Sequence, residues 1–349
     1  MKPRNLSGPD STSNRPSKEL DFCTLESGSQ TNGLPLLEGD LLKAASEFGF
    51  RVPPLFASLI DWRNPADPLL LQVMPSAREL DRSIAGFSTD PLEESRFLQA
   101  PGLIAKYPGR VLLRLTGACP IHCRYCFRRH DSFQDVPETI EQWQPALEWI
   151  RRDETVREII FSGGDPLMVA NGRLAELTGQ IKTIGHVKRL RLHTRMPVCS
   201  PGRINDGLLN WLSKAGLSVL IVIHVNHPAE LSREGCQALA RLAAAGILLF
   251  NQSVLLKGVN DRVEVLAELS EKLMENKVIP YYLHLLDPVM GAAHFHVDEL
   301  RARQLVHALR DRLGGYAVPR LAREVPGTLS KQVLASCDGI HSDSTRFEV

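Results

Sequence analysis

The sequence predicts an α/β fold built on a parallel sheet, and two observations support this class. From about residue 106 onward, six apolar strand-like runs alternate with six helical stretches, a pattern typical of parallel β/α units joined by right-handed crossovers. Polar and glycine residues follow several of these runs, where the carboxyl ends of parallel strands would bring them to one edge. Six units are fewer than the eight of a closed barrel.

The predicted elements follow one another at short intervals. The strands are short apolar runs at 111–116, 158–162, 189–194, 218–225, 247–256 and 279–286. The helices fill the intervals between the strands and one follows the last strand, at 138–152, 172–184, 205–215, 231–245, 261–276 and 298–313.

The chain divides into four predicted regions. Residues 1–33 are rich in Ser, Pro, Asn and charge and lack apolar periodicity, which predicts a mobile tail. Residues 34–105 are predicted to be a helical and irregular N-terminal extension, broken by four prolines between positions 53 and 68. Residues 106–315 carry the β/α pattern, and residues 316–349 form a short C-terminal segment.

Composition narrows the class of protein. The 349 residues are 43% hydrophobic and 23% charged, with a net charge of +1, so bulk charge gives no reason to expect binding to nucleic acid or a membrane. Neither a secretory h-region nor a run long enough to span a bilayer is present. Four of the seven cysteines, at 23, 199, 236 and 337, are scattered singly. This spacing does not suggest a disulfide framework and favours a reducing cytoplasm.

The other three cysteines stand close together after the first predicted strand of the core. Cys119, Cys123 and Cys126 are spaced by three and then two intervening residues. Three such thiolates can hold three irons of a [4Fe–4S] cluster and leave the fourth iron open, unlike the Cys₄ clusters. The alternative is a zinc knuckle with His122 or His130 as fourth ligand. No second Cys or His clip accompanies it, as structural zinc sites usually require.

This cysteine spacing at a strand end resembles the radical S-adenosylmethionine (SAM) superfamily, in which SAM binds the open iron. The resemblance implies a partial (β/α)6, open TIM-like barrel. It also implies that the glycine pair after the second core strand binds SAM, although most glycine pairs at such positions only form turns. For Asp165, the alternative to SAM binding is a role as a helix cap. For His224, the alternative is a structural role, which is common for a histidine at a strand end. The SAM-binding residues implied by the resemblance are Tyr125, Gly163, Gly164, Asp165, His224 and Gln252.

The stretch from about 87 to 331 resembles, within this superfamily, the lysine 2,3-aminomutases, which also use pyridoxal 5′-phosphate (PLP). Their PLP lysine follows a Pro-Gly loop with an acid seven residues upstream. Lys331 and Glu324 occupy these two positions, although the family pattern has Asp at the second and more glycine in the loop. The resemblance makes Lys331 the catalytic PLP anchor. It assigns the PLP phosphate to Arg110, with Lys106 and Tyr107 nearby; a surface charge is the alternative for Arg110.

The resemblance also implies a substrate. Arg128 would pair with the α-carboxylate, or serve only as a counter-charge to the cluster. Asp287 and Glu324 would receive a distal ammonium, which favours lysine; a cap is the alternative for Asp287. Arginine or glutamate as substrate, a radical SAM enzyme without PLP, and a non-enzymatic iron–sulfur or zinc protein stay open.

The chain resembles most the bacterial members that make (R)-β-lysine from (S)-α-lysine for modification of elongation factor P. This resemblance rests on its short length and on the motifs at 86–94, 126–130, 252–256 and 321–324. This implies a functional link to an elongation factor P ligase and an electron donor such as flavodoxin or ferredoxin.

Overall fold

The computed structural model describes residues 23–24 and 38–335. Cys337 and nearly all of the predicted tail lie outside the described residues. The strands are β1 (Cys23–Thr24), β2 (Arg51–Val52), β3 (Leu98–Ala100), β4 (Leu103–Tyr107), β5 (Arg110–Arg114), β6 (Glu158–Ser162), β7 (Arg189–Thr194), β8 (Ser218–Ile223), β9 (Leu248–Val254), β10 (Val278–His284), β11 (Arg320–Arg323) and β12 (Gln332–Val333).

The helices alternate with the strands through the core. They are α1 (Gly39–Glu47), α2 (Pro54–Ser58), α3 (Pro68–Val73), α4 (Gln144–Arg152), α5 (Asn171–Lys182), α6 (Met196–Cys199), α7 (Asp206–Lys214), α8 (Arg233–Ala244), α9 (Val263–Glu275) and α10 (Glu299–Arg310). Local chemistry starts several of them: the side chains of Asn205, Ser232 and Asp298 accept hydrogen bonds from first-turn amides of α7, α8 and α10, which satisfies donors that have no intrahelical partner.

The main sheet has ten strands in the order β12-β11-β10-β9-β8-β7-β6-β5-β4-β3. Strands β5 to β11 run parallel to one another. Strands β4 and β3 extend the sheet antiparallel beside β5, and β12 pairs antiparallel with β11. The two end strands are not paired with each other, so the sheet is open. An α/β fold with a mostly parallel, open sheet confirms the predicted class.

The six predicted core strands correspond to β5 through β10, and the bounds of β6 and β7 are those predicted. The sheet continues beyond them, because β11 adds a seventh parallel strand beside β10. The prediction missed β11, which has only four residues, two of them arginines.

Apolar burial holds the helices against the sheet. Strand residues Leu113, Ile159, Leu192 and Ile221 are fully buried in one large cluster with the inner faces of the helices. A second cluster joins the N-terminal extension to the loop after β5, and Ile121 of that loop packs into it. Removing apolar surface from water is the main stabilising term of such packing. Within the described part of the chain, no helix has the length and apolar character needed to cross a bilayer.

Candidate active site

The carboxyl ends of the parallel strands carry most of the predicted site residues, whereas Arg110 begins β5, and Lys106 and Tyr107 end the antiparallel strand β4. The cysteine loop follows β5, the glycine pair follows β6, and His224 follows β8. Asp287 comes after β10 and Glu324 after β11. Parallel pairing from β5 to β11 gathers these ends at one edge of the sheet, where β/α proteins build their active sites.

The cysteine loop contains Cys119, Cys123 and Cys126, and all three thiols are free and partly buried. Arg195 Nη1 donates a hydrogen bond to Cys123 Sγ at 2.8 Å. Burial raises the pKa of the Cys126 thiol to about 11, and negative charge on Cys123 adds to the shift.

The cysteine loop also contains the two histidines considered as zinc ligands. Among the described residues, no group of three His, Cys, Asp or Glu side chains is arranged to hold a single metal ion. A [4Fe–4S] cube takes each thiolate on a different iron. Ring nitrogens of His122 and His130, the candidate zinc ligands, lie 2.7 Å from Gly49 O and 3.0 Å from Met290 O.

The glycine pair after β6 packs directly against the start of the cysteine loop. Gly164 N donates to Thr116 O at 2.6 Å and Asp165 N donates to Ala118 O at 2.8 Å. A Cβ at Gly164 would lie 2.2 Å from Ala118 O, and Gly163 has a φ of +116°. Only glycine tolerates this approach and this backbone conformation, so the pair has a structural reason independent of a ligand.

Asp165 is buried, and both of its carboxylate oxygens accept hydrogen bonds from the protein. The donors are Leu167 N, Thr194 Oγ1 and Arg195 N, at 2.8 to 2.9 Å. This saturation favours a structural role that ties the loop after β6 to the end of β7. It weighs against the predicted contact with SAM, and the helix that Asp165 caps is the short 3₁₀ turn Pro166–Met168 rather than α5.

Tyr125 and His224, both predicted to contact SAM, contact each other. The Tyr125 hydroxyl lies 3.0 Å from His224 Nε2 and accepts a hydrogen bond from Asn226 Nδ2 at 2.7 Å. Burial, and then the charge of Arg195, lower the pKa of His224 to about 3, so the imidazole is neutral. Gln252 lies on β9, paired in register with Tyr282 of β10.

Lys331 and Glu324 form the centre of a second cluster, at the β11 end of the sheet. The Lys331 ammonium pairs with Glu324 Oε1, while Lys106 Nζ and the Tyr107 hydroxyl donate to Glu324 Oε2 at 2.7 Å and 3.0 Å. Burial opposes ionisation of Glu324, but the two lysines hold its pKa well below the usual range. Lys106 and Tyr107 were predicted to lie near the PLP phosphate. In the structure they contact Glu324, the acid predicted to bind the distal ammonium of the substrate.

Asp287 is the second carboxyl of this cluster. Burial, and then the negative charge of Glu324, raise the pKa of Asp287 to about 7, although Lys331 and Lys106 oppose the shift. Two nearby histidines, His193 and His284, have pKa values held well below the usual range by burial and neighbouring cations. They therefore add neutral hydrogen-bonding groups beside Lys331.

The surroundings of Lys331 fit PLP in two respects. Arg110 stacks on the Tyr107 ring at 4.8 Å and takes part in no ion pair within residues 38–335, so its fork can receive a phosphate. The buried Nε2 of His193 has no hydrogen-bond partner in that same range, as expected for a group that a bound molecule satisfies. The Lys331 ammonium also lies 5.9 Å from the Tyr282 ring.

Arg128, predicted to bind the substrate carboxylate, already holds a carboxylate of the protein. Its Nε and Nη2 donate to the two oxygens of Glu94 at 2.7 Å each, and Nη1 donates to Ser162 Oγ and Gly163 O. The bidentate geometry is that of a strong arginine–carboxylate pair. Sequence reasoning missed Glu94, although it lies in a stretch, 86–94, that supports the resemblance.

A buried pair of arginines lies behind the cysteine loop; the sequence suggested Arg129 only as a possible counter-charge to the cluster and gave no sign of its acidic partner. Arg124 and Arg129 both donate to Glu79, at 2.6 and 2.5 Å, and all three side chains are buried. Glu79 lies far away along the chain, in the 3₁₀ turn Ala77–Leu80, so no local spacing could indicate it.

Comparison with known proteins agrees with this geometry. The model of the Radical SAM superfamily matches residues 113–269. The chain is 44% identical over 294 residues to the L-lysine 2,3-aminomutase of Haemophilus influenzae, covering 84% of this chain and 87% of that protein. The Escherichia coli protein of the same name is 46% identical over 287 residues, covering 82% and 83%.

The chain belongs to the lysine 2,3-aminomutase family. A more distant relative, the L-lysine 2,3-aminomutase of Clostridium subterminale, is 39% identical over 277 residues, which cover 79% of this chain and 66% of that protein. The family is one of radical SAM isomerases, and membership implies a [4Fe–4S] cluster and SAM. Three free thiols, those of Cys119, Cys123 and Cys126, lie within eight residues of one another after β5.

Proposed function

We propose that this protein is a PLP-dependent L-lysine 2,3-aminomutase that converts (S)-α-lysine to (R)-β-lysine, for use in modification of elongation factor P. The observation that carries the proposal is the acidic pair beside Lys331. Glu324 raises the pKa of Asp287, and the cations of Lys331 and Lys106 act on both carboxyls. Two carboxyls placed together in this way suit a substrate with a distal ammonium. A distal carboxylate, as in glutamate, would be repelled there.

Each group has a role in this proposal. When bound, the cluster with SAM supplies a carbon radical that abstracts hydrogen, and PLP carries the amino group during its migration. Cys119, Cys123 and Cys126 would hold the cluster, Lys331 would anchor PLP, and Arg110 would hold its phosphate. Asp287 and Glu324 would fix the far end of lysine, so that the reacting carbons lie at a defined distance from the radical.

The proposal also covers the substrate carboxylate, two protein partners and the cellular setting. Arg128 would receive the α-carboxylate, sharing or exchanging Glu94. An electron donor such as flavodoxin or ferredoxin would reduce the cluster, and a ligase would pass β-lysine to elongation factor P. A reducing cytoplasm suits free thiols that hold an iron–sulfur cluster.

The test is product analysis after anaerobic reconstitution with iron, sulfide and PLP. The reduced protein receives SAM and then lysine, arginine or glutamate in separate reactions, and products are resolved by chiral chromatography. We expect (R)-β-lysine as the main product. If only arginine or only glutamate yields a β-amino acid, the assignment of lysine as substrate is wrong. SAM cleavage without any β-amino acid would reject the aminomutase assignment.

The PLP part is tested separately with Lys331→Ala. We expect this variant to lose the visible absorbance of lysine-bound PLP while retaining the iron content and SAM cleavage of the wild-type protein. Arg320→Ala is a matched control, because Arg320 is an exposed cation on β11. Unchanged PLP absorbance in Lys331→Ala would contradict the anchor assignment.

A further inference from the structure

Arg195 lies behind the cysteine loop and has no part in the chemistry proposed above. It follows β7 directly and is 5% exposed. One terminal nitrogen, Nη1, donates to Cys123 Sγ at 2.8 Å and to the Tyr125 hydroxyl at 3.1 Å. The other, Nη2, donates to Gln72 Oε1 and Glu230 Oε2, both at 2.8 Å.

The charge of this guanidinium is balanced by one buried acid. Glu230 is fully buried, and its second oxygen, Oε1, accepts from Asn226 N, His227 N and Gln72 Nε2 at 2.9 to 3.0 Å. These bonds fix the carboxylate in place. A buried ion pair is costly to assemble and adds little stability compared with apolar packing. Stability alone therefore does not explain why a charged donor is held against a thiol.

The sulfur that receives the hydrogen bond belongs to the proposed cluster site. Reduction of a cluster adds one electron, and hydrogen bonds to the sulfurs and nearby charge set how favourable that addition is. Because Arg195 is always protonated, its charge is fixed. In a buried environment its field on the sulfur is only weakly screened.

We propose that Arg195 raises the reduction potential of the cluster through its hydrogen bond to Cys123 Sγ, and that Glu230 limits this effect by partly neutralising the guanidinium. Arg195 is thus a positioning residue that acts through a cluster ligand. The inference rests on the proposed binding of the cluster by Cys119, Cys123 and Cys126. It predicts opposite shifts when the two charges are removed one at a time.

The experiment is a redox titration of the reconstituted protein without SAM, followed by the electron paramagnetic resonance signal of the reduced cluster. Arg195→Met should shift the midpoint potential to more negative values, and Glu230→Gln should shift it to more positive values. Arg203→Met is the matched control. Arg203 also ties neighbouring loops together, but it does so through the carbonyl oxygens of Leu167 and Val169 rather than through a thiol. Its potential should equal that of the wild type.

Iron and sulfide content and circular dichroism separate this inference from a folding defect. If Arg195→Met does not load a cluster, Glu230→Gln and Arg195→Lys decide: Glu230→Gln should still shift the potential to more positive values, and Arg195→Lys, which keeps the charge, should shift it less than Glu230→Gln does. An unchanged potential in loaded Arg195→Met or Glu230→Gln, or shifts of the same sign in these two variants, would overturn the inference. A wild-type protein without a reducible cluster would instead reject the proposed cluster site.

Discussion

Glu324 shows how one carboxylate can serve several cations at once. It accepts hydrogen bonds from Lys106 and Tyr107 on one oxygen and pairs with Lys331 on the other. If Lys331 anchors PLP as proposed, its nitrogen is no longer an ammonium that can pair with Glu324. The carboxylate can then receive the ammonium of a substrate without a net change in local charge.

The ionisation of Asp287 makes a pH-dependent prediction at the same site. Burial and Glu324 raise its pKa to about 7, so the carboxyl is mostly neutral below that pH and mostly charged above it. An ammonium binds the charged form. We therefore expect the affinity of the PLP-loaded protein for lysine to weaken by up to about tenfold per pH unit as pH falls through this range. Loss of the Lys331 ammonium on PLP binding would move the onset to higher pH, because that ammonium lowers the pKa of Asp287.

Calorimetric titration with lysine between about pH 6 and about pH 8 measures this dependence. Asp287→Asn should bind lysine weakly at every pH. If the variant retains the full pH dependence, another group is responsible for it.

The pair between Glu94 and Arg128 predicts how a neighbouring acid tunes carboxylate binding. Glu94 neutralises the guanidinium of Arg128, which the proposed substrate carboxylate requires. Replacing it, in Glu94→Gln, should strengthen lysine binding about fivefold, or about 1 kcal/mol. Lysine amide, which lacks the carboxylate, is the control ligand and should bind both proteins equally. Weaker binding of lysine by the variant would mean that Glu94 orients Arg128 instead of competing for it.

At the scale of elements, the sequence was most informative where patterns are local. Glycine follows the apolar run of β6 and arginine follows that of β7, and the predicted bounds of both strands match the structure. Strands β3, β4 and β11 were not predicted, because short strands outside the six-strand core depend on their partners more than on their own residues.

The same contrast applies to the candidate site. Residues at the strand ends could be predicted, since parallel topology places them together. The contacts of Arg195 could not be predicted, because its partners Gln72 and Glu230 come from other parts of the chain. Contacts of this kind are a property of the packed fold.

The junction of β6 with the cysteine loop gives a prediction about backbone packing. Because a Cβ at Gly164 would meet the backbone oxygen of Ala118 at 2.2 Å, Gly164→Ala should lower the free energy of unfolding by at least about 2 kcal/mol. It should also reduce iron loading. Gly179→Ala is the control, because Gly179 is exposed within α5 and no atom lies within 4 Å of its added Cβ.

Urea unfolding of the two iron-free proteins gives the comparison. Gly179→Ala should be about 0.5–1 kcal/mol more stable than wild type, since alanine favours helix. Equal stability of the two variants would show that the loop moves aside at little cost.

At the scale of the whole molecule, the N-terminal extension supports the cysteine loop from behind. His122 N donates to Arg51 O and Arg124 N donates to Gln72 O, while Glu79 receives the two buried arginines. Removing one partner of a buried ion pair leaves an uncompensated charge, which costs about 3–5 kcal/mol.

Glu79→Gln should therefore destabilise the protein by about that amount and lower the iron bound per chain. Thermal unfolding and iron analysis measure the two effects. Glu47→Gln removes an exposed pair with Arg82 and should change stability by less than about 1 kcal/mol. A stable Glu79→Gln variant with full iron content would separate the extension from cluster binding.

The backbone bonds on either side of the cysteines have a consequence for metal loading. Before Cys119, the chain is bonded to the segment after β6, and beyond Cys123 it is bonded to α3 through Gln72. The loop is thus pre-formed by the protein alone. Insertion of iron and sulfide would then be limited by their access to the thiols rather than by refolding, and a chelator that strips the iron should leave the far-ultraviolet circular dichroism spectrum unchanged.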